Sequence, residues 1–478
     1  LAATENDDLR DVFTHLESAF PADLERVRQF LRQPSISYTG RGIQETAAQV
    51  RAMIEELGGV AELIPTAVHP IVYGRLDQGA PHTLLIYSMY DTMPAEEPDW
   101  SVDPWAAAIR DLPDLGPCIV ARGAVNTKGP TAAFFNALRG YQAVRGRLPV
   151  NLVFAIEGEE EMGSHSFHDF VAQHPERFRD CEAALFPFFE QDEVGVPQLT
   201  LGTKGLLYFE LICRGGTWGG PTARGIHGSF AGWVNNPVWR LNRALSTMIG
   251  PDESTILIDG FFDDAKPLSV ADKEAMAECR DLFDEEVFRK AYAVERFKWP
   301  ERGLALWEKL FSQPTLNIDG INGGYTETGT KTLLPHEVTA KMDVRLVPDM
   351  EPERVIRLIR EHLDRHGFED IEMKVYHHYY PSKVSLHEPA VATMREVYEA
   401  LGHRVQVFPL NPGSAPYYVF ERFLGIPYVT GGLGHGSRQH SSDEYCTVQG
   451  VLDFEKSMAL YLARYADRAA GRKRAEER

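Results

Sequence analysis

The chain has 478 residues, and 69 Asp and Glu against 49 Lys and Arg leave a formal net charge of −20 at pH 7. Such a balance offers no basic footprint for phosphate, so neither nucleic acid nor an anionic membrane surface is an expected partner. Apolar residues at 44% and charged residues at 25% exclude a disordered or fibrous chain, and no run of about 18 apolar residues offers a membrane span. The length predicts two or three domains with their own cores. The opening LAATENDDLR lacks the basic-then-apolar layout of a signal peptide. The five cysteines (Cys118, Cys181, Cys213, Cys279, Cys446) form no CxxC pair and read as buried free thiols, which together predict a cytoplasmic protein.

In chain order, helical spacing covers 7–33, and a second helix over 43–58 stops at Gly58-Gly59. Thr83 to Tyr87 reads as a buried strand, a helix opens at Gly129-Pro130 and runs to Arg145, and Val150 to Ile156 is another buried strand. The character changes near Gly202-Thr203-Lys204-Gly205. The stretch that follows holds strands over 207–213 and 338–346, helices over 236–248 and 353–366, and an irregular charged segment over 251–302. Helix and strand then resume, with a helix over 390–401, a strand over 426–429 and a terminal helix from Leu452 that ends in a solvated GRKRAEER tail. The predicted fold class is α/β: a catalytic domain over 1–204 and 384–478, with a mixed, largely parallel sheet covered by helices, and an inserted α+β lid and dimerisation domain over 205–383. In open sheets of this kind ligands bind beyond the carboxyl ends of the strands, where the unusual polar clusters of this sequence lie.

Four clusters stand out: Met89-Tyr90-Asp91, Arg122 to Gly129, Glu157-Gly158-Glu159-Glu160-Glu161-Met162-Gly163-Ser164, and Gly434 to Glu444 with His435 and His440. Singly, an acidic run at a strand end is a solvated face and a histidine in a glycine-rich loop is structural. Together and in this order, with Leu201 to Gly205, Ile226-His227-Gly228-Ser229, Arg345-Leu346-Val347-Pro348 and Gly413-Ser414-Ala415-Pro416, they resemble the cocatalytic zinc peptidase family of carboxypeptidase G, aminoacylase, carnosinase and succinyl-diaminopimelate desuccinylase. The resemblance spans nearly the whole chain. It implies two metal ions sharing one bridging carboxylate, a metal-bound water as nucleophile and a glutamate as general base.

Carried over residue by residue, the resemblance shows a thinned metal site. The family's first ligand, a histidine two residues before an aspartate, is Met89 here, although Asp91 remains. The bridging aspartate is Asn126, and a further aspartate falls on Phe188, with Glu190 the nearest carboxylate. The base and the next ligand match Glu160 and Glu161, and the last ligand matches His440, before Asp443-Glu444. A thioether is a poor ligand for zinc or manganese, so the expectation is one weakly held divalent transition metal per chain (Mn or Zn) on Asn126, Glu161 and His440. Glu160 and Asp91 are the expected catalytic carboxylates.

The resemblance further implies that Arg345 clamps a substrate carboxylate, that His227 stabilises an oxyanion in a neighbouring subunit, and that Gly413 and Ser414 offer backbone amides. Phe186, Phe188, Phe189, Tyr379 and Tyr380 are candidates to wall a planar pocket, with plain core as the alternative. The expected partners are a small amino-carboxylate substrate, aromatic in one reading, and further copies of the chain in a homodimer or higher homo-oligomer. The expected function is metal-dependent hydrolysis of a C–N bond. One branch of the family, the 5-nitroanthranilate aminohydrolases, makes deamination of an ortho-aminobenzoate the favoured candidate, because that substrate brings its own chelating groups. The alternatives are a dipeptidase or N-acyl amino acid amidohydrolase, and a metal-free binding relative without turnover.

Overall fold

The computed structural model describes residues 9–192 and 194–476. The first two residues of the predicted opening helix lie outside that range, and the tail at 471–478 lies outside the described side chains. Ten strands build the two main sheets: β1 (Val60–Ile64), β2 (Ile71–Leu76), β3 (Thr83–Met89), β4 (Asn151–Glu157), β5 (Ala183–Pro187), β6 (Gly205–Arg214), β7 (Thr315–Gly323), β8 (Glu337–Leu346), β9 (Glu372–Tyr379) and β10 (Tyr428–Gly431).

The chain divides into two compact units. The first takes the chain up to Leu201, Val384–Phe408 and everything from Val419. Its six-stranded sheet has the order β1-β2-β4-β3-β5-β10. The β3/β4, β3/β5 and β5/β10 pairs are parallel, whereas β1/β2 and β2/β4 are antiparallel, so the sheet is mixed and largely parallel. Every residue of β3 is buried, as expected of a strand covered on both faces, and this explains why it reads as an unbroken apolar run. Helices Arg10–Arg32, Lys128–Arg145 and Val448–Glu476 pack on one another, and Phe135 of the second stacks on Phe154 of β4 at 5.6 Å between ring centroids. The terminal helix starts at Val448 and not at Leu452, because the Thr447 hydroxyl accepts a hydrogen bond from Gly450 N–H (3.1 Å) and caps the first turn. All five cysteines are free and buried, and among the described residues no helix is long and apolar enough to cross a membrane.

Where these three helices meet, Asn136 donates from Nδ2 to Glu455 (2.9 Å) and to the Asp23 carbonyl (3.1 Å). Burial pushes the carboxyls of Glu455 and Asp23 upward, Glu455 well above its ordinary value. The folded state therefore binds more protons than the unfolded one above about pH 4, and stability falls as pH rises toward the folded pKa. Glu455→Gln keeps the bond to Asn136 and removes the charge. It is expected to gain about 1 kcal/mol at pH 8 and little at pH 5, read by thermal unfolding at both values; an unchanged melting temperature at pH 8 contradicts this.

The second unit comprises Gly202–Lys383 and Pro409–Tyr418. Its antiparallel sheet has the order β7-β8-β6-β9. Leu207, Phe209, Leu211 and Cys213 alternate along β6 and are fully buried, and helices Pro237–Met248 and Pro352–Arg365 pack on the sheet. The unit begins at Gly202, and it also claims Pro409–Tyr418, which the sequence reading left with 384–478. The cause is backbone pairing: Asn411 donates to the Gly202 carbonyl (2.7 Å) and accepts from Lys204 N–H (3.0 Å). The segment 251–302 is not wholly irregular. It contains helices Val270–Glu278 and Glu285–Ala291, the first set by a reciprocal Ser269/Asp272 capping box and the second by Asp284 accepting from Glu286 N–H.

Candidate active site

The parallel register of β3 and β4 pairs Met89 with Glu157 at their carboxyl ends. The segments that leave these strands, Tyr90-Asp91 and Gly158 to Glu161, therefore run side by side. Tyr90 N–H donates to the Glu157 carbonyl (2.8 Å), and the Tyr90 ring lies so close to Gly158 that a Cβ there would sit 2.3 Å from it. Asp91 is fully buried and accepts from the backbone N–H groups of Glu160 (3.2 Å) and Glu161 (3.1 Å). Burial, followed by the charge of Glu161, pushes its carboxyl up to about 7. Glu160 opens a short 3-10 turn, Glu160–Met162. Its carboxyl is raised well above the ordinary value by burial and then by Glu161, Glu157 and Asp91.

A second, small sheet brings in the distant half of the site. Tyr445–Thr447 pairs with Gly116–Val120 and with Gly436–Ser437, which makes a hairpin whose loop carries His440. Arg438, His440 and Asp443 all adopt left-handed backbone conformations (φ +66°, +62° and +55°), unusual for non-glycine residues and a mark of a loop held by its surroundings. The hold is Glu444. Its fully buried carboxylate accepts from the backbone N–H groups of Gly123 (3.0 Å), Val125 (3.0 Å) and Asn126 (2.9 Å), and from Arg122 Nη1 (3.0 Å). Arg122 is buried as well, with Nη2 on Glu97 (2.8 Å) and Nε on the Pro94 carbonyl (3.1 Å). Lys128, at the other end of the 122–129 loop, donates to the Gln33 carbonyl and lies over the Phe30 ring at 4.6 Å. Burial lowers its amine to about 7. The Asn126–Thr127 peptide bond is cis.

Asn126, Glu161 and His440 converge, although Asn126 and His440 are 314 positions apart. Glu161 Oε2 lies 3.0 Å from His440 Nε2, and Asn126 Nδ2 lies 2.9 Å from Glu161 Oε1 and 3.0 Å from His440 Nε2. The hydrogen bond to Glu161 raises the pKa of His440. The Asn126 carbonyl oxygen is turned away and accepts from Thr127 Oγ1 (2.7 Å). The other positions of the family's metal set supply no ligand. Met89 is buried at the end of β3, and Phe188 follows β5 with its ring 5.4 Å from that of Phe186. Burial pushes the Glu190 carboxyl up to about 7. Among the described residues no group of three or more His, Cys, Asp and Glu side chains is arranged to hold a metal ion. The donor chemistry, one carboxylate, one imidazole and one neutral amide, does not fit a metal pair and fits a single ion weakly.

The remaining expected site residues belong to the second unit. Arg345 donates from Nη1 to Ser414 Oγ (3.0 Å) and from Nε to Asp343 (3.1 Å). The Gly413 N–H, expected to be offered to substrate, is already taken by Asn411 Oδ1 (2.8 Å). His227 is exposed, with Nδ1 2.8 Å from Ser229 Oγ and Nε2 3.2 Å from Thr332 Oγ1. Of the aromatic candidates, Phe186, Phe188 and Phe189 belong to the first unit and Tyr379 and Tyr380 to the second. Phe186 packs edge-on to Tyr87 and Phe189 edge-on to Phe454 in the core of the first unit, while Tyr379 and Tyr380 contact Tyr418 in the second. Glu444, which the sequence alone gives no role, is the functional residue that sequence reasoning misses. The signal was an acidic residue in a run otherwise bound for the interior.

Residues 85–464 match the peptidase family M20/M25/M40. The Cys-Gly metallodipeptidase dug1 of Schizosaccharomyces pombe is 31% identical over 301 residues, 62% of this chain and 60% of that protein. The Beta-Ala-His dipeptidase of Rattus norvegicus is 32% identical over 305 residues, 62% of this chain and 58% of that protein. The chain thus spans about three-fifths of the length of these curated relatives. Among solved structures, the M20 family metallo-carboxypeptidase Sso-CP2 from Sulfolobus solfataricus superposes with a TM-score of 0.84 at 33% identity, over 93% of this chain and 99% of that one.

Proposed function

The chain belongs to the peptidase family M20/M25/M40, and on that premise we propose that it hydrolyses the C–N bond of a small dipeptide, aided by one weakly held divalent metal ion. The observation that carries this reading is the convergence of Glu161, His440 and Asn126 beside Glu160 at the ends of β3 and β4. Glu161 and His440 are the ligands, and Asn126 joins them if its amide turns over, which exchanges the NH2 group for the oxygen; the Thr127 hydroxyl can serve either orientation. A bound ion supplies polarisation of the scissile carbonyl and acidification of water.

Glu160 takes a proton from the attacking water; its raised proton affinity suits a base that must later give the proton to the leaving amine. Asp91 holds the Glu160-Glu161 backbone in place through two hydrogen bonds. Arg345 is the group for a substrate carboxylate, with a guanidinium already half exposed and oriented by Asp343 and Ser414. His227 fits the reading of a homo-oligomer that shares residues between copies.

Relatives named as dipeptidases favour a dipeptide over the ortho-aminobenzoate that the thinned site first suggested. The discriminating assay offers Cys-Gly, β-Ala-His and 2-aminobenzoate to the purified protein, with and without added Mn2+ or Zn2+, alongside metal analysis. Hydrolysis of a dipeptide, with no more than one ion per chain and ready loss to chelators, is the expected result. Two tightly bound ions would overturn the single-site assignment. Ammonia release from the aminobenzoate with both dipeptides untouched would overturn the substrate.

A further inference from the structure

The second unit carries a crevice of about 400 Å3 that the proposed hydrolysis does not use. Five rings line it, Phe262, Phe288, Phe297, Trp299 and Trp307 of the 251–314 segment, together with aliphatic side chains such as Ile249, Leu306 and Leu310, and Lys204 is among the lining residues. A pocket of this size and composition is typical of small-ligand sites. Aromatic walls favour a flat ring, which stacks on or meets them edge-on.

Lys204 supplies the polar determinant. It is only 2% exposed, and its Nζ donates to the Gln313 carbonyl (2.7 Å). An ammonium has three donors; among the described residues no carboxylate lies within ion-pair distance of this one, and the charge acting on it is the like charge of Arg345. A buried ammonium without a counter-ion is costly, and an anion in the crevice relieves that cost. Around Trp299, Lys309 Nζ lies 4.2 Å and Lys298 Nζ 5.3 Å from the indole, and Lys309 is paired with Glu301 (3.1 Å). Glu285, the one carboxylate among the lining residues, accepts from Gly303 N–H (2.9 Å). With Lys309 paired to Glu301, Lys204 and Lys298 against Glu285 still leave a small excess of positive charge in a chain of net charge −20.

We propose that this crevice binds a flat aromatic carboxylate, its ring between the Phe and Trp walls and its carboxylate on Lys204. None of the residues lining the crevice has a role in the hydrolytic reading, so the proposal does not rest on it. The test uses the full-length protein, tryptophan fluorescence and titration calorimetry, with 3-phenylpropionate, 2-phenylethylammonium and acetate as probes. The expected result is saturable binding of 3-phenylpropionate at one site per chain, with the amine and acetate at least tenfold weaker. Lys204→Met is expected to weaken 3-phenylpropionate at least tenfold. Leu310→Trp, at a lining residue that is 41% exposed and thus tolerant of size, is expected to fill the crevice and abolish binding. Equal binding of the acid and the amine, or wild-type affinity in either variant, overturns the proposal. If Lys204→Met fails to fold, Leu310→Trp and the acid–amine comparison decide it alone.

Discussion

Glu160→Gln is expected to lower kcat by about 10³-fold, within the 10²–10⁴ that a positioned general base contributes, and at the same time to raise the melting temperature. Both effects have one cause. The Glu160 carboxyl is crowded by Glu161, Glu157 and Asp91 in a site that burial keeps poorly solvated. Its proton affinity is high because the charged form is penalised there, and a glutamine of the same shape removes the penalty together with the base. The backbone N–H of residue 160 still donates to Asp91, so the turn keeps its support. The pairing of lost activity with gained stability is what distinguishes a strained functional group from a merely structural one. Measured kcat within tenfold of the parent would remove Glu160 as the base. A fall in melting temperature would show that its carboxylate is held by favourable contacts instead.

Glu444→Ala is expected to cost about 3–5 kcal/mol of stability, the range for breaking a buried ion pair from one side. Three backbone N–H groups of the 123–126 loop and the guanidinium of Arg122 lose their acceptor at once, and a small apolar side chain admits too little water to replace it. Glu444→Gln should cost less, since one amide oxygen remains to accept. Denaturant unfolding reads the difference, and a loss below 1 kcal/mol for the alanine variant would mean that the loop holds its shape without the carboxylate. Because this residue ties the loop of Asn126 to the hairpin of His440, metal affinity should fall with stability. A fold change in metal affinity without loss of stability would assign Glu444 to the metal site alone.

Much of the fold was legible in the order of the residues. Strands β3 and β4 announce themselves as apolar runs because parallel strands are covered on both faces, and the helix Lys128–Arg145 is signalled by Gly129-Pro130 at its start. The helices at Val270–Glu278 and Glu285–Ala291 were not legible from apolar periodicity; their starts are marked by side-chain caps at Ser269 and Asp284. The early start of the terminal helix is likewise a matter of one hydroxyl, that of Thr447.

Residue types alone limit the chemistry available at the site. A methionine at 89, an asparagine at 126 and a phenylalanine at 188 supply no anionic ligand wherever the chain carries them. The length and the −20 charge likewise bound the class of partner before any folding is considered. Folding alone turns the Asn126 amide hydrogens toward Glu161 and His440, commits the Gly413 N–H to Asn411, and gathers lysines around an aromatic crevice in an acidic chain. The reason is physical. Which atoms a residue type can offer is a local property, whereas the partner each atom finds depends on strand register, hairpin placement and burial. Those are settled by contacts between segments as far apart as Asn126 and His440.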